Sequence, residues 1–145
     1  MSRPRFVIKG HKELLRKLKK LGSESIAKRV LRKVTNAATT PLLRAVRENI
    51  PVRTGALKKS IAKKITGRRF RYNGIVGSDL SKKLLDGEPV ARQLHLVEEG
   101  FEHVGGVVVA GQHPLQRGFD SSHKACESVY AQRLAEEIEK EALKG

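Results

Sequence analysis

From Ser23 to Ile50 the chain carries one apolar stripe at helical spacing: Ile26, Val30, Val34, Ala37 or Ala38, Leu42, Ala45, Val46 and Ile50. Side chains three or four residues apart share a helix face. The segment therefore predicts a helical rod from a Ser23 cap to about Asn49. At ~1.5 Å per residue, about 27 residues make a rod roughly 40 Å long. Pro41 lies inside it, after Thr39 and Thr40. Proline removes a backbone donor and disfavours helix at the residue before it. A kink is expected there, or two helices with Thr40 capping the second.

The other elements are shorter. Phe6, Val7 and Ile8 read as a strand ended by Gly10. His11–Leu21 reads as a helix with Leu14, Leu15, Leu18 and Leu21 on one face, stopped by Gly22. After Pro51, Thr54 is placed to cap a short helical turn through Ala56, Leu57 and Ser60. Residues 61–78 turn to a strand pattern. Asn73-Gly74, between Arg71-Tyr72 and Ile75-Val76, has the chemistry of a hairpin turn. Residues 79–92 read as a loop, 93–99 as a short strand or helix, and Val107, Val108 and Val109 as a β-branched run. Asp120, Ser121 and Ser122 form a capping cluster for a last helix reaching about Leu143. Cys126, Val129 or Tyr130, Leu134, Ile138 and Ala142 mark its inner face. This order predicts a single α+β domain over 1–145: a small, mainly antiparallel sheet flanked by a long kinked N-terminal helical segment and a C-terminal helix. With aromatics at 4% and no Trp, the core must be built from Leu, Ile, Val and Ala.

Charge is unevenly placed. The 145 residues carry a net +15, but residues 1–72 hold 22 Lys/Arg against 3 Asp/Glu, and residues 73–145 hold 8 against 12. A basic field of that size attracts polyanions. A bipolar chain can also pair its basic half with the acidic half of a copy or neighbour. The single cysteine, Cys126, permits no internal disulfide, which fits a reducing compartment. Its place in an apolar helical pattern predicts an inert core thiol. No run of ~20 apolar residues suits a membrane helix, and the first ten residues lack a signal peptide's apolar segment. A soluble chain made inside the cell is expected.

The densest charge run is Lys58, Lys59, Lys63, Lys64, Arg68, Arg69 and Arg71. On a hairpin, alternation would gather some of these cations on one face. They would then line a DNA channel through phosphate contacts, or meet solvent or acidic subunits. Only Phe70 and Tyr72 interleave, too few for a base-stacking platform. The five histidines have no compact ligand spacing, and one cysteine makes no thiolate cluster, so neither metal nor cofactor is expected. Glu98 and Glu99 lie near His95, but no nucleophile with an ordered base accompanies them. Glu98 is read as pairing with a basic residue of its own or a neighbouring subunit. The acidic end of the last helix, Glu136, Glu137, Glu139 and Glu141, is either a solvated face or a dock for a basic neighbour.

Pro51-Val52-Arg53-Thr54-Gly55-Ala56-Leu57-Lys58-Lys59-Ser60-Ile61 closely resembles the signature of the HK97 gp10-like family of phage tail-component proteins. Three further segments resemble that family in order and spacing: Ile8-Lys9-Gly10 leading into Leu14-Leu15-Arg16-Lys17-Leu18, then Leu96-Val97-Glu98-Glu99-Gly100, then His113-Pro114-Leu115-Gln116-Arg117-Gly118-Phe119. Phe101 stands where the family usually has a small residue, and Gly118 where it has proline. The resemblance implies a non-enzymatic virion component at the head–tail junction, made in the host cytoplasm. It would form a homo-oligomeric ring, expected to be hexameric, around the DNA path. Head-closure protein, tail terminator or tail tube would be its partners. Arg53, Thr54 and Gly55, with Glu98, Glu99 and Gly100, are the expected subunit contacts, and the cations from Lys58 to Arg71 the electrostatic ones. The competing class, on charge alone, is a stand-alone nucleic-acid-binding protein.

Overall fold

The structure, a computed structural model, describes residues 23–53, 55–79, 81–83 and 87–144, together with Arg16 and Lys20. In chain order the elements are α1 (Glu24–Ala38), α2 (Thr40–Asn49), α3 (Ala56–Ser60), β1 (Ile61–Arg68), β2 (Arg71–Ser78), α4 (Val90–Glu99), β3 (Gly100–Glu102), β4 (Val108–Ala110) and α5 (Pro114–Lys144). The strands form two two-stranded sheets, β1–β2 and β3–β4. This is the expected α+β class, with a broken N-terminal helical segment and a long C-terminal helix. The strand expected at 6–8 and most of the helix expected over 11–21 lie outside the described residues; Arg16 and Lys20 are helical.

The break in the first rod has a local cause. Thr39 sits between α1 and α2, and Pro41 lacks the N–H that would continue the ladder. Hydroxyls from Thr35, Thr39 and Thr40 donate to the carbonyls of Leu31, Thr35 and Asn36, four residues back, at 2.8, 2.7 and 3.3 Å. Such back-bonding competes with the helix and bends it.

The chain packs as two compact units. The first comprises residues 1–41, 64–75 and 123–145. Its core joins Ala27, Val30, Leu31, Val34 and Ala38 of α1 to Tyr130 and Leu134 of α5, edged by Ile26, Phe70, Tyr72 and Ile138. Two salt bridges flank it: Arg29 to Glu141 at 3.2 Å and Lys33 to Glu137 at 2.7 Å. The rising and falling numbers show that these helices run antiparallel. The buried positions of α5 here are 130, 134, 137 and 141, a straight helical stripe. Ala142, expected inside, is one residue past that stripe and is exposed; Cys126 is half-buried.

The second unit comprises residues 42–63 and 76–122. Val46, Ile50, Leu57, Ile61, Val90 and Leu94 form its core, edged by Leu42, Leu43, Val76, Val97 and Leu115. Arg47 donates from Nε and Nη2 to the Ile61 carbonyl at 3.2 and 2.7 Å, pinning the start of β1 to α2. Gly118 lies so close to Val46 that a Cβ there would strike the Val46 backbone.

Three boundaries differ from the sequence reading. The β1–β2 turn falls at Arg69-Phe70, with Arg69 at φ 59°, and Asn73-Gly74 lies inside β2. Gly74 serves a close approach instead: a Cβ there would overlap the Thr39 side chain. The last helix starts at Pro114, so Asp120, Ser121 and Ser122 are helical, and both serine hydroxyls donate to the Gly118 carbonyl. Gly55, at φ 76°, occupies the N-cap of α3 expected of Thr54. The 93–99 segment, left open between strand and helix, is helical, within Val90–Glu99.

This packing sets two expected outcomes. Gly118→Ala lowers stability by about 1–3 kcal/mol because backbone must shift, whereas Gly77→Ala, into open space, stays within about 0.5 kcal/mol; urea unfolding measures both. The Glu137 carboxyl is held below its ordinary 4.5 chiefly by the Lys33 hydrogen bond, and that of Glu141 chiefly by Lys144. Both side chains are nearly covered, but the four cations touching them are each more than half exposed, so water screens these pairs. A depressed carboxyl pKa gives stability that is complete above about pH 4.5 and is lost as pH falls through the lower folded value. The melting temperature therefore falls from pH 5 to pH 3, and less steeply in Glu137→Gln/Glu141→Gln; thermal scans across that range check it.

Candidate subunit and nucleic-acid contact surfaces

The seven expected electrostatic contacts divide between the two units. Lys64, Arg68, Arg69 and Arg71 belong to the first unit, and Lys58, Lys59 and Lys63 to the second. In a strand, alternate residues face opposite sides. The exposed residues of the hairpin are Ala62, Lys64, Gly67 and Arg68 on β1 and Arg71, Asn73, Gly74 and Ile75 on β2, with Arg69 exposed at the tip, so the alternation holds among them except at the two glycines. Lys63 falls between buried Ile61 and half-buried Ile65, and burial lowers the pKa of its ammonium. Lys58 is half-buried on α3 and Lys59 exposed. Residues 49–78 contain eight Lys/Arg and no Asp or Glu. With no local carboxylate, Lys64, Arg68, Arg69 and Arg71 have no ion-pair partner among the described residues.

The connector before α3 is open to solvent. Pro51, Val52 and Arg53 are exposed, while Leu57 and Ile61 anchor α3 and the start of β1 to the core. Gly55 supplies the left-handed backbone at the start of α3. Thr54 lies outside the described residues.

Glu98, Glu99 and Gly100 divide into different roles. Glu98 is buried, and its side chain does not reach outward to a cation. The backbone N–H groups of Leu115 and Gln116 donate to its Oε2 and Oε1 at 2.9 and 3.2 Å. The first N–H groups of a helix have no intrahelical partner and carry the positive end of its dipole. Glu98 therefore caps α5 from α4, with both carboxyl oxygens engaged by backbone amides. Glu99 is exposed. Gly100, at φ 80°, ends α4 and begins β3.

The sequence reading missed what Gly100 begins. β3 and β4 pair antiparallel, Gly100 with Ala110, Phe101 with Val109 and Glu102 with Val108. The turn between them is closed by the His103 N–H donating to the Val107 carbonyl and the Gly106 N–H to the His103 carbonyl, both at 2.8 Å. Every residue from Phe101 to Ala110 is exposed. The available signal was Gly105-Gly106 between apolar flanks, two glycines inside the His103–Val107 turn that joins Phe101 to the valine run. Among the described residues, no group of three His, Cys, Asp or Glu is placed to hold a metal ion, and no helix is long and apolar enough to cross a membrane.

The described residues thus combine a run of exposed cations without an ion-pair partner among them and an exposed apolar hairpin. A family model described as "Bacteriophage HK97-gp10, putative tail-component" matches residues 12–100. The chain belongs to this HK97 gp10-like family of bacteriophage tail components, and its role is structural, in the virion. The matched span includes the Pro51–Ile61 and Leu96–Gly100 segments; His113–Phe119 lies beyond it. Neither the curated proteins nor the solved structures give a match.

Removing the Glu98 carboxylate leaves two helix-start amides without their acceptor. Glu98→Ala is expected to cost about 1–2 kcal/mol and Glu98→Gln less, because an amide oxygen can still accept one bond. Chemical denaturation of both variants measures the order.

Proposed function

We propose that this tail component acts at the head–tail junction as a homo-oligomeric ring, six-fold in the simplest case, surrounding the path of the DNA. The observation that carries this reading is the sorting of charge. The acid-free stretch 49–78 presents Lys64, Arg68, Arg69 and Arg71 outward with no ion-pair partner among the described residues. Cations set on a strand face suit phosphates, whose recognition needs charge and spacing but no base readout. In a ring, each copy contributes the same four cations, and a duplex passing through meets them without sequence preference. Arg53, Thr54, Gly55, Glu99 and Gly100 are assigned to contacts between subunits, and head-closure protein, tail terminator or tail tube to the adjoining layers. Glu98 supports the ring from inside its own subunit.

A stand-alone nucleic-acid-binding protein would use the same cations but need no ring. Sedimentation of the purified chain over a range of concentrations separates the two readings, alongside duplex binding at 50 and 200 mM salt. The ring reading expects closed oligomers and weak, salt-sensitive DNA binding, with a salt slope smaller by about three per subunit in Lys64→Ala/Arg68→Ala/Arg71→Ala. A chain that stays monomeric at every concentration and binds duplex tightly would overturn it.

A further inference from the structure

We propose that the β3–β4 arm of one copy docks on the exposed Pro51-Val52-Arg53 connector and Lys59 of a second copy. The inference rests on the ring reading and names the surfaces that close it. Phe101, Val104, Val107, Val108 and Val109 are all exposed, Val104 completely and Val108 at 75%. Single exposed apolar residues are ordinary, but five within one ribbon of eleven residues, spread over both its faces, mark an interaction site. A two-stranded hairpin is also marginal by itself in water, so this one gains most from a partner.

The base of the arm is firmly held. A Cβ at Gly100 would strike the backbone of Val109 and Ala110 on the opposite strand, and one at Gly111 the backbone of Glu98 and Glu99 at the end of α4. The Gln112 N–H donates to the Val97 carbonyl at 2.8 Å, and Glu98 fixes the start of α5 directly after β4. The apolar tip thus projects from an anchored stem, which lowers the ordering cost of binding.

Charge selects the occupant. Residues 93–116 contain no Lys or Arg, in a chain that has 30. Glu99 and Glu102 are exposed on this stretch. A fitting partner is therefore apolar and basic, and another copy of the chain supplies such a surface. Val52 is 65% exposed, beside exposed Arg53, and Lys59 is exposed on α3. Arm and connector belong to the same compact unit, yet both stay exposed, so the described residues do not cover them. The valines of one copy would cover Val52 and Pro51 of the next, with Glu99 and Glu102 facing Arg53 and Lys59. Two different patches meeting head to tail generate a ring when the rotation closes.

The test is a charge exchange read by sedimentation velocity on the full chain. Val108→Asp, Glu102→Lys and Arg53→Glu change exposed positions, and unchanged melting temperatures will show that the fold is kept. Each is expected to raise the concentration for half-assembly by about tenfold or more, whereas Glu102→Lys combined with Arg53→Glu recovers most of the loss. Assembly unaffected by Val108→Asp and Glu102→Lys would overturn the arm contact and leave the ring standing. Loss in the single variants without recovery in the double would overturn the connector as its partner. A wild-type chain that never assembles would overturn the ring reading itself, and this inference with it.

Discussion

The two amide hydrogen bonds to Glu98 tie the end of α4 to the start of α5, and the residues between them run out and back as the paired strands β3 and β4. The α5 N-terminus brings orphan donors and a partial positive charge to this place. A buried carboxylate satisfies both and is itself satisfied, which is the condition for burying a charge at tolerable cost. The Val97 carbonyl and the Gln112 N–H close the same junction one step further out. Within this unit, Gly118 then settles the first turns of α5 against Val46. Remove the carboxylate and both the arm's stem and the helix contact lose their reference point.

Against that fixed junction, the sequence distributes charge in blocks. Acidic residues are absent from 49–78 and basic ones from 93–116. The acidic end of α5 is not a free face: Glu137 and Glu141 are engaged by Lys33 and Arg29 of α1 in the first unit. Of the two roles open to that end, a solvated face or a dock for a basic neighbour, these two residues take neither, because their partners are internal. Among the described residues, no carboxylate pairs with the cations on the outer side of the β1–β2 hairpin.

Much of the fold was legible because its signals are local. The stripe from Ile26 to Ile50, the break at Pro41, the short helix anchored by Leu57 and Ile61, and the inner face at Tyr130 and Leu134 all follow from spacing. The misplaced features depend on partners distant in sequence. Gly74 suggested a turn because turn chemistry favours Asn-Gly, yet its lack of a side chain is required by Thr39, which no local pattern reveals. The α5 start was assigned to the Asp120 cluster because its true cap comes from Glu98, 17 positions back from Leu115. The cationic run was legible as a run, but whether Lys63 joined Lys64 on one face depended on strand phase. Burial of Ile61 set that phase.

A chain of net +15 would be expected to repel its copies, and the proposed ring has to overcome that. The Debye length at physiological ionic strength is about 8 Å, so the far field of one subunit is largely screened at the separation of its neighbour's centre. Groups in contact feel each other with much less screening. Association is then governed by which side chains actually meet, and a cation-free arm against an acid-free connector is attractive at that range. Added salt weakens both the distant repulsion and the local attraction, and the two changes oppose each other. Contacts between cations and phosphate have no such opposition, since every one of them weakens as salt rises. A ring built in this way holds its subunits over a range of ionic strength in which its grip on DNA changes steeply. That difference would suit the proposed ring, whose subunits stay joined while DNA moves through it.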